Sequence, residues 1–206
     1  MRAQTSVGGD VPQVKKADRR EAILEAAFEL FSSQGYSSST MSQIARAAGM
    51  TVANLYVYFD SKLFILYEIY QPWLYEQLDA LRSRVEALPS ARDKVRQILI
   101  GVWRDIPAAD HSFANALIEA LASAPPQSGK PVKLLTAVED FLTELLMSAL
   151  PRAARERVRD GVLAHIIWMA FDGFVINQRI GDVRDIEPIA DRMSDLLLGR
   201  SANASA

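Results

Sequence analysis

Apolar residues recur at threes and fours along most of the chain, and no segment alternates by twos in the manner of a strand. Ile23, Ala26, Ala27, Leu30 and Phe31 mark one helix face, predicting a helix from about Asp18 to Gln34 that Gly35 ends. Leu66, Tyr70, Leu74, Leu78, Leu81 and Val85 predict a long helix from about Ser61 into the eighties. Pro72 lies within it, lacks an amide proton and crowds the carbonyl of Glu68, so a kink or a division is expected there. Val95, Ile98, Leu99, Val102 and Trp103 fall on a helix opened by Ser90, and Phe113, Leu117, Ala120 and Leu121 on one opened by Asp110. A loop rich in proline follows, from Ser123 to Pro131, and then a helix from about Val132 to Leu150. The next helix, from about Arg152 to Ile180, is apolar nearly all round and must be covered on all sides. A last one carries Ile186, Ile189, Met193, Leu196 and Leu197. The expectation is an all-α protein of about nine helices.

Two short helices stand between the first and fourth. Thr40-Met41-Ser42-Gln43 reads as a capping box, in which the Thr hydroxyl accepts from the third helical amide and the Gln side chain reaches back to the cap amide. Ile44, Ala45 and Ala48 give that helix an apolar face, and Gly49 supplies the left-handed residue that ends it. Thr51 caps a second helix, at about 51–58, carrying Val52, Ala53, Asn54, Leu55, Tyr56, Val57 and Tyr58. Two short helices joined by a glycine turn form a helix-turn-helix. The spacing Ile44-Ala45, Ala48-Gly49, Leu55-Tyr56-x-Tyr58-Phe59-x-Ser61-Lys62, with Ile23, Ala26, Ala27, Leu30, Phe31 and Gly35 upstream, resembles the DNA-binding signature of the TetR (tetracycline-repressor-like) family of bacterial transcription regulators. The resemblance covers Arg20 to about Leu66. It departs from the family pattern at Leu63, where an acidic residue usually follows the lysine.

Within this unit Ile44, Ala45, Leu55 and Phe59 are expected in the core. Val52, Ala53, Asn54 and Val57 are expected to project from the recognition helix, with Asn54 suited to paired bonds with adenine and the valines to thymine methyl groups. Thr40 and Ser42 are candidate DNA-binding residues, and Thr51 is a cap first and a phosphate donor second. The resemblance implies that Tyr56 meets backbone phosphate and that Tyr58 lies near DNA. Lys62 opens the next helix, where the macrodipole disfavours a cation, and a bound phosphate would offset that. Lys15, Lys16, Arg19 and Arg20 cluster ahead of the first helix and are placed to meet phosphates or a minor groove. The expected organisation is a disordered basic arm at 1–17, a DNA-binding domain at 18–62, a helical effector-binding and dimerisation domain at 63–198, and a disordered tail at 199–206.

Charge tempers this reading. The net charge is −2 and the pI about 5.8, and residues 1–62 hold seven Lys or Arg against six Asp or Glu. DNA affinity must then come from a few placed cations, with a modest salt dependence. The chain has no cysteine and only His111 and His165, which argues against a thiolate or histidine-rich metal site, and no cofactor is implied. No nucleophile, base and oxyanion set is recognisable, so an enzyme is not expected. The start of the chain lacks the apolar run of a secretory signal. Val162 to Phe171 falls well short of the ~20 residues of a membrane span, so a cytoplasmic protein without membrane association is expected.

For the body, Tyr67, Trp103, Phe113, Trp168 and Phe171, with Glu119, Asp172 and Asn177 as polar anchors, are candidates to surround a small, largely apolar or aromatic effector. Val162, Ile166, Met169, Gly173 and Ile176, with Ile189, Met193 and Leu196, form stripes suited to a second copy of the chain. The resemblance implies a homodimer through the last two long helices. A twofold dimer presents two recognition helices to a palindromic double-stranded operator. The family's commoner mode is repression. The competing reading is a helical protein-interaction module that has lost sequence-specific DNA binding, supported by the weak basic balance.

Overall fold

Every regular element among the described residues is helical, as the periodicity requires. The computed structural model describes residues 11–109, 111–123, 131–179, 181 and 184–199. In order come α1 (Val11–Gln34), α2 (Met41–Ala47), α3 (Val52–Tyr56), α4 (Lys62–Glu86), α5 (Ala91–Ile100), a π-helical stretch (Gly101–Asp105), α6 (Ile106–Ala109), α7 (His111–Ser123), α8 (Pro131–Ala149), α9 (Arg152–Arg155), α10 (Val162–Arg179) and α11 (Ile186–Leu197). No helix among them is long and apolar enough to cross a membrane.

Three boundaries differ from expectation. The first helix starts at Val11 rather than near Asp18, so residues 11–17 are helical and not an irregular arm. Pro12 falls in its first turn, where a missing amide proton costs nothing, and the Lys and Ala residues after it favour helix. Residues 1–10, and the tail from Arg200, lie outside the described residues. The single helix expected over 152–180 is broken: α9 ends at Arg155 and turns lead to Gly161, whose φ of +77° suits glycine. The amide of Val162 then donates to the Asp160 carboxylate at 3.1 Å, which opens α10. A third break is the π-helical stretch, which separates α5 from α6. These breaks raise the number of α-helical segments above nine. Pro72 is exposed and lies inside α4, which continues through it.

The described residues form two compact units, divided inside α4 between Ile69 and Tyr70. In the first, Ile23, Ala27, Ile44, Ala45, Leu55, Phe59, Ile65 and Leu66 make the core. In the second, Tyr70, Leu74, Leu78, Leu81 and Val85 of α4 are buried at the expected spacing, as are Val95, Ile98 and Leu99 of α5, Leu142 and Leu145 of α8, and Ile167 and Phe171 of α10. Charge fixes α11 beside α5. Arg92 bonds Asp195 at 2.7 Å and Asp191 at 3.0 Å, Arg96 bonds Asp191 at 3.0 Å and Glu187 at 3.1 Å, and Arg104 bonds Glu187 at 2.8 Å. A connected ladder of this kind holds geometry better than isolated surface pairs.

Candidate nucleic-acid interface

Local chemistry sets the two short helices. The Thr40 hydroxyl accepts from the Gln43 amide at 3.2 Å, and the Thr40 amide donates to the Gln43 side-chain oxygen at 2.8 Å, completing the capping box. At the other end of α2 the Gly49 amide donates to the Arg46 carbonyl and the Met50 amide to the Ala45 carbonyl, a Schellman turn that needs the +67° φ of Gly49. Thr51 accepts from the Asn54 amide at 3.2 Å and starts α3.

The phase of α3 follows from one anchor, Leu55, which is fully buried. Ala53 and Asn54 face solvent, Val52 is half-buried, and Tyr56 and Val57 are 50% and 70% exposed. Ser42 is exposed on α2, and Tyr58 is half-buried beyond α3. Arg19, Arg46, Gly49, Thr51, Asn54 and Tyr58 line one surface cleft of about 440 Å3. Arg46 was not among the expected site residues. An arginine in the last turn of α2 reads in sequence as a solvated charge that suits a helix C-terminus.

Lys62 is placed differently from expectation. Its ammonium donates to the carbonyls of Tyr36 and Ser39, both at 2.6 Å, and lies 4.0 Å from the centroid of the Tyr36 ring. Burial pushes the Tyr36 hydroxyl up to about 12, so that ring is a neutral phenol near neutral pH. The offset to the α4 macrodipole is therefore internal, and no phosphate is needed to supply it. Arg20 is likewise engaged, with Glu68 at 2.6 Å and the Phe59 ring 4.7 Å from its guanidinium carbon. Arg19 and Lys16 are exposed, and the side chain of Lys15 lies outside the described residues.

The candidate effector residues fall in both compact units. Tyr67 belongs to the first compact unit, and the side chain of Phe113 lies outside the described residues. Trp103 is buried, donates its indole N–H to the Ile167 carbonyl at 2.9 Å and packs on Phe174 with centroids 5.3 Å apart. Trp168 stacks on Phe171 at 4.6 Å, both buried. These rings pack as core. Glu119 is half-buried and Asn177 exposed. Asp172 is half-buried, and burial pushes its carboxyl up to about 6.

On α10, Val162, Ile166, Met169 and Ile176 are 55%, 51%, 57% and 47% exposed and Gly173 is exposed, while Ala164, Ile167, Phe171 and Val175 are buried. The helix is therefore covered on one side within the chain and carries an apolar stripe on the other. On α11, Leu196 is exposed and Ile189 and Met193 are half-buried.

Comparison with known proteins agrees with this geometry. Residues 23–69 match the model of the bacterial regulatory proteins, tetR family. The HTH-type transcriptional regulator RutR of Escherichia coli K12 is 35% identical over 111 residues, 52% of this chain and 50% of RutR, so the match spans about half the length of that relative. Among solved structures, a TetR transcriptional regulator from Rhodococcus sp. RHA1 has a TM-score of 0.60 at 23% identity, covering 93% of this chain and 100% of that one. Thermus thermophilus FadR, described as a TetR-family transcriptional repressor in complex with lauroyl-CoA, has a TM-score of 0.57 at 19% identity, covering 91% and 99%. At these identities the two structures establish the fold, and the match over α1 to α4 carries the family. With a capped α2, a Schellman turn and an outward-facing α3 at the matched positions, residues 23–69 belong to the tetR family of bacterial regulatory proteins.

Proposed function

We propose that the chain is a dimeric, sequence-specific DNA-binding transcription regulator, a repressor released from a palindromic operator by a small, largely apolar or aromatic ligand. The observation that carries this reading is the exposure of α3. A five-residue helix anchored by Leu55 alone presents Asn54, Tyr56 and Val57 to solvent, where a 70% exposed valine contributes nothing to folding. In a major groove the same side chains meet an adenine edge, a phosphate and a thymine methyl. Thr40, Ser42, Thr51, Val52, Ala53 and Tyr58 are the further DNA contacts of this proposal.

The apolar stripe of α10, with Leu196 exposed and Met193 and Ile189 half-buried on α11, supports dimerisation through a second copy of the chain. Buried in a dimer, it gives the covering that an apolar face needs. The second unit is the proposed effector domain. Release requires only that the ligand bind the DNA-incompetent conformer better than the competent one. The lauroyl chain held by Thermus thermophilus FadR is of the apolar class proposed here.

The test is a mobility-shift titration of the purified chain on a bound duplex, followed by addition of apolar and aromatic compounds. Two chains per operator and release by at least one compound class are expected. One chain per duplex would overturn the dimeric reading, and retention across a broad panel would overturn the ligand-released one.

A further inference from the structure

Three elements bring two arginines together. Arg19 comes from α1, Arg46 from the last turn of α2, and both line the cleft that Thr51, Asn54 and Tyr58 wall on the α3 side. No acidic side chain lines that cleft. The remaining described arginine of the first unit, Arg20, is neutralised by Glu68, and the Lys62 ammonium is held by two carbonyls. Arg19 and Arg46 are both exposed and form no ion pair among the described residues. Two like charges thus line one cleft, in a chain of net charge −2, with Thr51 and Asn54 of the α3 side on its other wall.

We infer that Arg19 and Arg46 clasp one backbone phosphate beside the bases that α3 reads, with the Tyr58 hydroxyl as a further donor. This rests on the DNA-binding reading above. A guanidinium fork matches the oxygens of a phosphate and stays charged at any working pH. Phosphate is favoured over a base edge by position. In a helix-turn-helix the second helix enters the groove while the first crosses the backbone, and Arg46 stands on the first. Asn54 lines the same cleft, so the clasped phosphate belongs to the same half-site and sets the register in which the Asn54 amide meets its base. The clasp also explains how a mildly acidic chain holds DNA, since its positive charge is gathered at the contact.

Counterion release makes the inference measurable. One clasped phosphate in each half-site contributes about 2 to the slope of log K against log salt for a dimer on its operator. Anisotropy titrations of the full chain on its selected duplex, between about 50 and 200 mM salt, compare the wild type with the Arg19→Ala/Arg46→Ala pair. The pair is expected to lower the slope by about 2, leave the preferred sequence unchanged and retain helicity, with Arg46→Lys keeping most of the slope. Where alanine lowers helicity, the Arg19→Gln/Arg46→Gln pair is read instead. An unchanged slope overturns the clasp, as does a changed base preference at one position, which would make Arg46 a base reader. A loss near 4 would mean two separate phosphates and overturns the shared clasp. A wild type with no preferred duplex overturns the regulator reading itself, and the clasp with it.

Discussion

Replacing Lys62 by alanine removes a charged donor from two backbone carbonyls 23 and 26 residues earlier in the chain, and a cation from the Tyr36 ring. Hydrogen bonds to a charged group contribute about 1.5–3 kcal/mol each, and the ring contact about 0.5–1 kcal/mol. Because Lys62 is only half-buried, these are discounted for solvent. About 0.3–1 kcal/mol returns when a cation leaves the first turn of a helix. The expected net loss is about 2–4 kcal/mol, or a fall in Tm of roughly 5–15 °C for a chain of this size. Thermal unfolding followed by far-UV circular dichroism reads it. Lys62→Met, which keeps the stem and loses the charge, is expected to fall almost as far. Tyr56→Phe, which alters only the hydroxyl of a half-exposed side chain, is the comparison and leaves Tm unchanged. A Lys62→Ala chain that melts within about 1 °C of the parent while losing DNA affinity would refute the structural role and return Lys62 to the phosphate contacts.

Three further outcomes follow from the second unit. Ile166→Asp with Met169→Asp places two carboxylates on the exposed stripe of α10, and sedimentation equilibrium is expected to show dimer association weakened by roughly 100-fold or more, with the monomer still helical. Asp172 has its carboxyl raised by burial from 3.8 to about 6, so its contribution to stability is fully present below pH 3.8 and is lost as pH rises through about 6. Asp172→Asn should therefore raise Tm at neutral pH and flatten the decline between these values, as a melting series across pH would show. A Cβ at Gly101 would lie 2.3 Å from Leu81 Cδ1, and Leu81 is fully buried, so Gly101→Ala is expected to destabilise by about 1–3 kcal/mol in denaturant titration, with partial rescue by Leu81→Ala.

What could be read ahead of the fold was whatever depended on near neighbours. The Thr40–Gln43 box, the Gly49 turn, the burial of Leu55 and the stripe of Val162, Ile166, Met169 and Ile176 all follow from spacings within one helix or turn. The break before α10 was local too, since Asp160-Gly161 is a cap and a left-handed residue. It was masked by the apolar periodicity that runs across it from Val158 to Val162. The rest was set by distant partners. The carbonyls that hold Lys62, and the Glu68 that neutralises Arg20, lie where tertiary packing puts them, and a lysine near a helix start reads equally well as a phosphate contact. Arg46 carries no local signal, because its cleft exists only when α1, α2 and α3 are assembled. The π-helical stretch has no sequence signature, although Gly101 marks where Leu81 comes close.

The most direct test of the central claim is selection of bound duplexes from a random pool at near-physiological salt, with the wild type beside an Asn54→Ala/Tyr56→Phe chain. The expected result is enrichment of a palindrome whose half-sites lie about one helical turn (~10 bp) or more apart, with the variant retaining little preference for it. If a helical, dimeric wild type enriches nothing, the exposed face of α3 does not read DNA, and the chain is better described as a helical interaction module.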